Sequence, residues 1–166
     1  MKTQLLMKSL PNKPQKRKLM NMLILMALAV LTGFMVVLQG GLNARLGTLL
    51  QSPLLAALST LFFGAVFTFV AVIVTSRGFP TLQFKAVPPY LWFTGAFFSF
   101  IAVTLFYYLI PKLGIGTAVA FGLCGQVLFS TLAAHFGWFG LPIEPIDVKK
   151  MIGLGALVLG ILLVKL

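Results

Sequence analysis

Residues 19–38 read LMNMLILMALAVLTGFMVVL, twenty consecutive positions without a charge. A helix rises about 1.5 Å per residue, so this run crosses the roughly 30 Å of hydrocarbon in a bilayer. The pattern recurs over residues 54–75, 90–110 and 116–135, and a shorter run closes the chain at 148–166. Punctuation between the runs fits helix ends. Ser52-Pro53 supplies a capping serine and a proline suited to the first turn. Pro88-Pro89 precedes the third run, Pro111 is read as its stop, and Asp147 as an N-cap lengthens the fifth.

Composition supports the same fold class. The chain is 60% hydrophobic and 9% charged, against about 25% charged residues in a soluble domain. Too few polar groups exist to cover it, so lipid must serve as its solvent. The runs are too continuous for the alternation of a β-barrel. The first run is too long for a signal peptide, and no small-residue cleavage motif follows it. The sequence therefore predicts an all-α membrane protein, a bundle of five transmembrane helices over 19–166, preceded by a basic flexible cytoplasmic tail over 1–18.

A net charge of +11 would suggest a nucleic-acid partner for a soluble protein. Its distribution points instead to topology. With five spans, Lys2, Lys8, Lys13, Lys16, Arg17, Lys18, Arg77, Lys85, Lys149 and Lys150 fall on the N-terminal side, and only Arg45, Lys112 and Lys165 on the other. The positive-inside rule places the N-terminus in the cytoplasm and the C-terminus outside. Anionic lipid is then the natural contact of the basic residues, and nucleic acid is not expected.

Chemistry-bearing residues are sparse. One histidine and one cysteine, His135 and Cys124, have no acid near them, and both acids, Glu144 and Asp147, fall in the fourth loop. No catalytic set, metal site or cofactor site is expected. Small residues mark packing faces in lipid: Ala57, Thr60, Gly64, Thr68, Ala71 and Thr75 on the second helix; Ala118, Gly122, Gly125 and Ala133 on the fourth; Gly153, Ala156 and Gly160 on the fifth. Gly64, Gly122, Gly125, Gly153 and Gly160 are the packing glycines expected from this pattern. Gln39, Asn43 and Gln126 differ in kind, because an amide near hydrocarbon is costly unless paired and offers both donors and acceptors. They either tie helices together or, with Ser130 one turn beyond Gln126, face a solute. His135 and Arg45 read as interfacial groups, and Trp92 and Trp138 as parts of an aromatic belt.

The stretch from Gln39-Gly40-Gly41-Leu42-Asn43-Ala44-Arg45 to Leu46-Gly47, followed by Ser52-Pro53, Ala56-Ala57 and Phe63-Gly64, resembles the YdcZ-type small membrane proteins of the drug/metabolite transporter superfamily. Pro111-Lys112-Leu113-Gly114, Gly125-Gln126 and His135-Phe136-Gly137-Trp138-Phe139-Gly140 with Pro142 extend the resemblance, which covers about 19–166. It implies a bacterial inner-membrane transporter of a small solute, an exporter. Where that family often has an aspartate before the histidine, this chain has Ala134, so acid-based coupling at His135 does not carry over. The other reading is a membrane scaffold or accessory subunit that transports nothing. Five short helices enclose little space, so a path through them calls for a second subunit. An odd span count makes an inverted partner natural, either a second copy or an oppositely oriented paralogue.

The topology is directly testable. Alkaline phosphatase fused after Leu166 should be active and green fluorescent protein fused there dark; the reverse result would refute an external C-terminus.

Overall fold

The structure is a computed structural model that describes residues 13–75, 87–140 and 142–165. Among the described residues five α-helices follow in order: α1 (Lys13–Leu49), α2 (Pro53–Thr75), α3 (Pro89–Leu113), α4 (Ile115–His135) and α5 (Val148–Lys165), with a short 3-10 helix at Trp138–Gly140 before α5. The described residues contain no strand. Helices α1 to α4 are each long and apolar enough to cross a membrane. Helix α5, at 18 residues, reaches about 27 Å. The tail through Asn12, the second loop with Arg77 and Lys85, and Leu166 lie outside the described residues.

Two boundaries differ from the sequence reading. Helix α1 starts at Lys13 and runs unbroken to Leu49, so Lys16, Arg17 and Lys18 belong to its opening turns and the Gly40-Gly41 pair does not end it. Lysine, arginine and glutamine are good helix formers, and Pro14 sits in the first turn, where a missing N–H costs nothing. Pro111 likewise does not stop α3, which continues to Leu113. The proline removes one hydrogen bond, to the carbonyl of Tyr107, but lies in the last turn. The helix then closes through the Gly114 N–H, which donates to the Ile110 carbonyl at 3.0 Å.

The chain forms two compact units, residues 1–39 and Gly40–Leu166. The described part of the first is the helical stretch to Gln39. In the second, consecutive helices pack on each other, α2 on α3, α3 on α4 and α4 on α5. Large apolar side chains point outward along every helix, including Phe67 at 70% and Phe93 at 74% exposure. The buried cluster is small-residue in character: Ala44, Ala56, Ala57, Tyr107, Ile110 and Ala118. This inversion of a soluble core follows from the solvent. Lipid tails are as apolar as leucine, so helices associate by close backbone approach.

Glycines on the last turns of α1 achieve that approach. A Cβ on Gly40 would stand 3.2 Å from Phe106 Cε1, one on Gly41 3.0 Å from Ile115 Cδ1, and one on Gly47 3.4 Å from Ala56 Cβ. The α1–α2 turn is closed by the Ser52 N–H on the Gly47 carbonyl at 2.9 Å, and Ser52 Oγ caps α2 by accepting from the Leu55 N–H at 3.3 Å.

Helices α3 and α4 are joined by Gly114 alone, at φ 80° and ψ 150°. That region is essentially closed to residues with a Cβ, at a cost of about 1–3 kcal/mol. Gly114→Ala should therefore lower the melting temperature in detergent markedly. Gly116→Ala, two residues into α4 with open space at its Cβ position, should leave it unchanged or raise it slightly. Equal melting of the two variants would refute the strain argument.

Candidate functional site

Where the ends of α1 and α3 meet the starts of α2 and α4, Tyr107 is the largest fully buried side chain, at 2% exposure. Alanines at 44, 56, 57 and 118 have no bulk to keep the ring out, and Ile110 and Phe106 close around it. Its hydroxyl donates to Thr60 Oγ1 at 3.1 Å, and Thr60 Oγ1 donates to the Ala56 carbonyl at 2.9 Å. The relay ties α3 to α2 through groups that each satisfy the next. One turn earlier on α3, Thr104 Oγ1 is buried without a hydrogen-bond partner. The same part of the fold carries a shallow hollow of about 200 Å³ lined by Thr48, Gln51, Tyr107, Tyr108 and Lys112. Over it the Lys112 ammonium lies on the Tyr108 ring, 3.8 Å from its centre.

The four polar residues singled out from the sequence lie in two pairs, each one helical turn apart, Gln39 and Asn43 on α1 and Gln126 and Ser130 on α4. Gln39 belongs to the first unit. Asn43 is half-buried beside Ala44, and neither amide is without a partner. Gln126 is exposed midway along α4, and Ser130 is exposed one turn further on. Ser130 Oγ donates to the Val127 carbonyl at 3.0 Å. Of the packing glycines, Gly122 meets the Phe106 ring, where a Cβ would stand 3.3 Å from Cε2. Gly64, Gly125, Gly153 and Gly160 have open space at that position.

At the other end of α4 the chain is pinned back on itself. His135 Nδ1 accepts from the Ile146 N–H at 3.2 Å, so the neutral ring carries its proton on Nε2. The Ala134 carbonyl accepts from the Glu144 N–H at 2.9 Å. Asp147 caps α5, its Oδ1 accepting from the Lys150 N–H at 2.8 Å. These anchors bring Glu144 Oε2 and Lys150 Nζ to 3.1 Å, at the rim of an open groove of about 410 Å³ between α4 and α5. Ser130 and Thr131 line it from α4, Gly153 and Leu154 from α5. Outside it, Phe129, Phe136 and Trp138 form an aromatic cluster with ring centres 5.8–5.9 Å apart. The left-handed conformation of Phe139, φ 62°, helps turn the chain here.

Sequence reasoning did not single out Tyr107, Thr104 or the Glu144–Lys150 pair. A tyrosine inside an apolar run reads as one more aromatic. The ion pair spans six positions across Pro145, a spacing with no helical meaning.

A family model described as "Putative inner membrane exporter, YdcZ" matches residues 24–163, most of the chain. No curated protein and no solved structure matches the sequence significantly.

Two conservative changes separate the hydroxyls of α3. Tyr107→Phe should destabilise the folded protein by about 0.6–1.7 kcal/mol, the range for interhelical hydrogen bonds in membranes, read as a lower melting temperature. Thr104→Val, which removes a buried hydroxyl that pairs with nothing, should melt at or above the parent. The opposite ranking would overturn the assignment of Tyr107 as the helix tie.

Proposed function

The chain belongs to the YdcZ family of inner-membrane exporters, and on that premise we propose that it carries a small solute out of the cell as an inverted pair of five-span subunits. Besides the family match, the observation that carries this reading is Gln126. An amide stands exposed midway along a helix whose neighbours are apolar. Exposed to lipid tails, it would lose its hydrogen bonds to water at a cost of a few kcal/mol. A second subunit or a polar solute relieves that cost. Gly125 beside it leaves open space, which admits either a backbone or a ligand.

The pair follows from size. The buried core holds a handful of residues around Tyr107, and both described hollows are open grooves rather than enclosed paths. A translocation path therefore draws its second wall from another chain. Helix α5 counts as the fifth span in this reading: at about 27 Å it fits a bilayer that thins slightly, with Lys149 and Lys150 snorkelling at its start. Ten basic residues against three favour a cytoplasmic N-terminus and a single orientation, which makes an oppositely oriented paralogue the better partner. Catalysis plays no part.

Inside-out vesicles from overproducing cells, analysed by mass spectrometry, should accumulate solutes that control vesicles do not. Gln39→Leu, Asn43→Leu and Gln126→Leu should cut that accumulation while membrane abundance and detergent melting hold. If all three transport normally, or if loss of transport only follows loss of folded protein, the amides are helix ties and the scaffold reading stands.

A further inference from the structure

The geometry points to the groove between α4 and α5 as a binding site for a zwitterion, an ammonium and an anionic group joined by a short apolar body. As the place where solute is taken up, the assignment rests on the exporter reading; as a binding site it does not.

The groove carries one charge of each sign, and both are held in place by the backbone. Glu144 is fixed through its own N–H on the Ala134 carbonyl, and the neighbouring Ile146 N–H on His135 Nδ1 steadies the same segment. Lys150 is fixed through its N–H on Asp147 Oδ1. Both acids of the chain are thus committed to this corner, one as cap and one as rim. An ion pair this open, with Glu144 65% and Lys150 37% exposed, adds at most about 1 kcal/mol to stability. Stability alone is a weak reason for so anchored a pair.

The groove's hydroxyls add direction. Ser130 and Thr131 donate their hydroxyl protons to the same Val127 carbonyl, at 3.0 and 2.8 Å. Their oxygen lone pairs remain able to accept. Acceptors therefore outnumber donors, and an ammonium is satisfied by Glu144 and the two hydroxyls together. Leu154 and Val127 supply apolar wall, and Gly153 leaves room where a side chain would stand.

The existing pair selects against a single charge. A bare cation pairs only with Glu144 and a bare anion only with Lys150; the charge left over is re-solvated at these exposures, so each single charge gains one contact at the expense of the existing pair. A zwitterion exchanges both partners at once and leaves neither charge over. Free amino acids and phosphatidylethanolamine headgroups share this chemistry. With the N-terminus cytoplasmic, the fourth loop and the groove mouth also face the cytoplasm, the side from which an exporter loads.

The test uses the purified full chain in detergent, with leucine as zwitterion, leucinamide as cation, N-acetylleucine as anion and glycerophosphoethanolamine as the lipid headgroup. Saturable stabilisation by leucine or by glycerophosphoethanolamine, but not by the two singly charged probes, is the expected result, and which of the two acts identifies the source. Glu144→Gln and Lys150→Gln should each weaken binding about tenfold, 1.4 kcal/mol. The exchanged pair Glu144→Lys with Lys150→Glu should retain binding, and it controls for misfolding. Equal binding of leucinamide or N-acetylleucine, no binding by either zwitterion, or unchanged affinity in both single variants would overturn the site. Intact zwitterion binding in a chain that transports nothing in vesicles would instead remove the exporter reading and leave the groove.

Discussion

The hydrogen bond from Tyr107 to Thr60, passed on to the Ala56 carbonyl, is the contact on which the second unit depends. It lies where four helix ends converge, and alanines from three of those helices leave room for the ring. In lipid there is no hydrophobic force to press helices together, so association depends on backbone proximity and on hydrogen bonds that cannot be traded for water. Alanines at 44, 56, 57 and 118 provide the first, and the tyrosine hydroxyl provides the second. Bulk in any of those alanines displaces the ring and with it the bond.

The opposite end of α4 is held by a different means. There backbone N–H groups of the fourth loop bond to the His135 ring and the Ala134 carbonyl. The second unit is thus held at one end by close packing around Tyr107 and at the other by polar contacts beside a groove. The first fixes the helices; the second presents charge.

Much of this was legible in the sequence, because hydrophobic continuity and helix punctuation are local properties. The apolar runs, Ser52 before Pro53 and Asp147 before Val148 mark helices where the structure has them. The apolar run ends at Leu38 whereas α1 continues through Gly40-Gly41 to Leu49, because local propensity counts the backbone entropy of glycine but not the Phe106 and Ile115 side chains that its missing Cβ admits. Pro111 was misread because a proline breaks a helix interior but is tolerated in the last turn. Gln126 and Ser130 could be named from residue type alone. Their surroundings could not, since Glu144 and Lys150 reach the Ser130 groove only through the folded loop.

The single-residue joint at Gly114 has a consequence for how the protein is made. Between α3 and α4 the ribosome delivers no hydrophilic stretch that a translocation channel could thread across the bilayer. Only Lys112 marks the corner. A joint this short favours entry of the two helices into lipid together, as a hairpin, and lengthening that corner would bear on insertion before it bore on the folded shape.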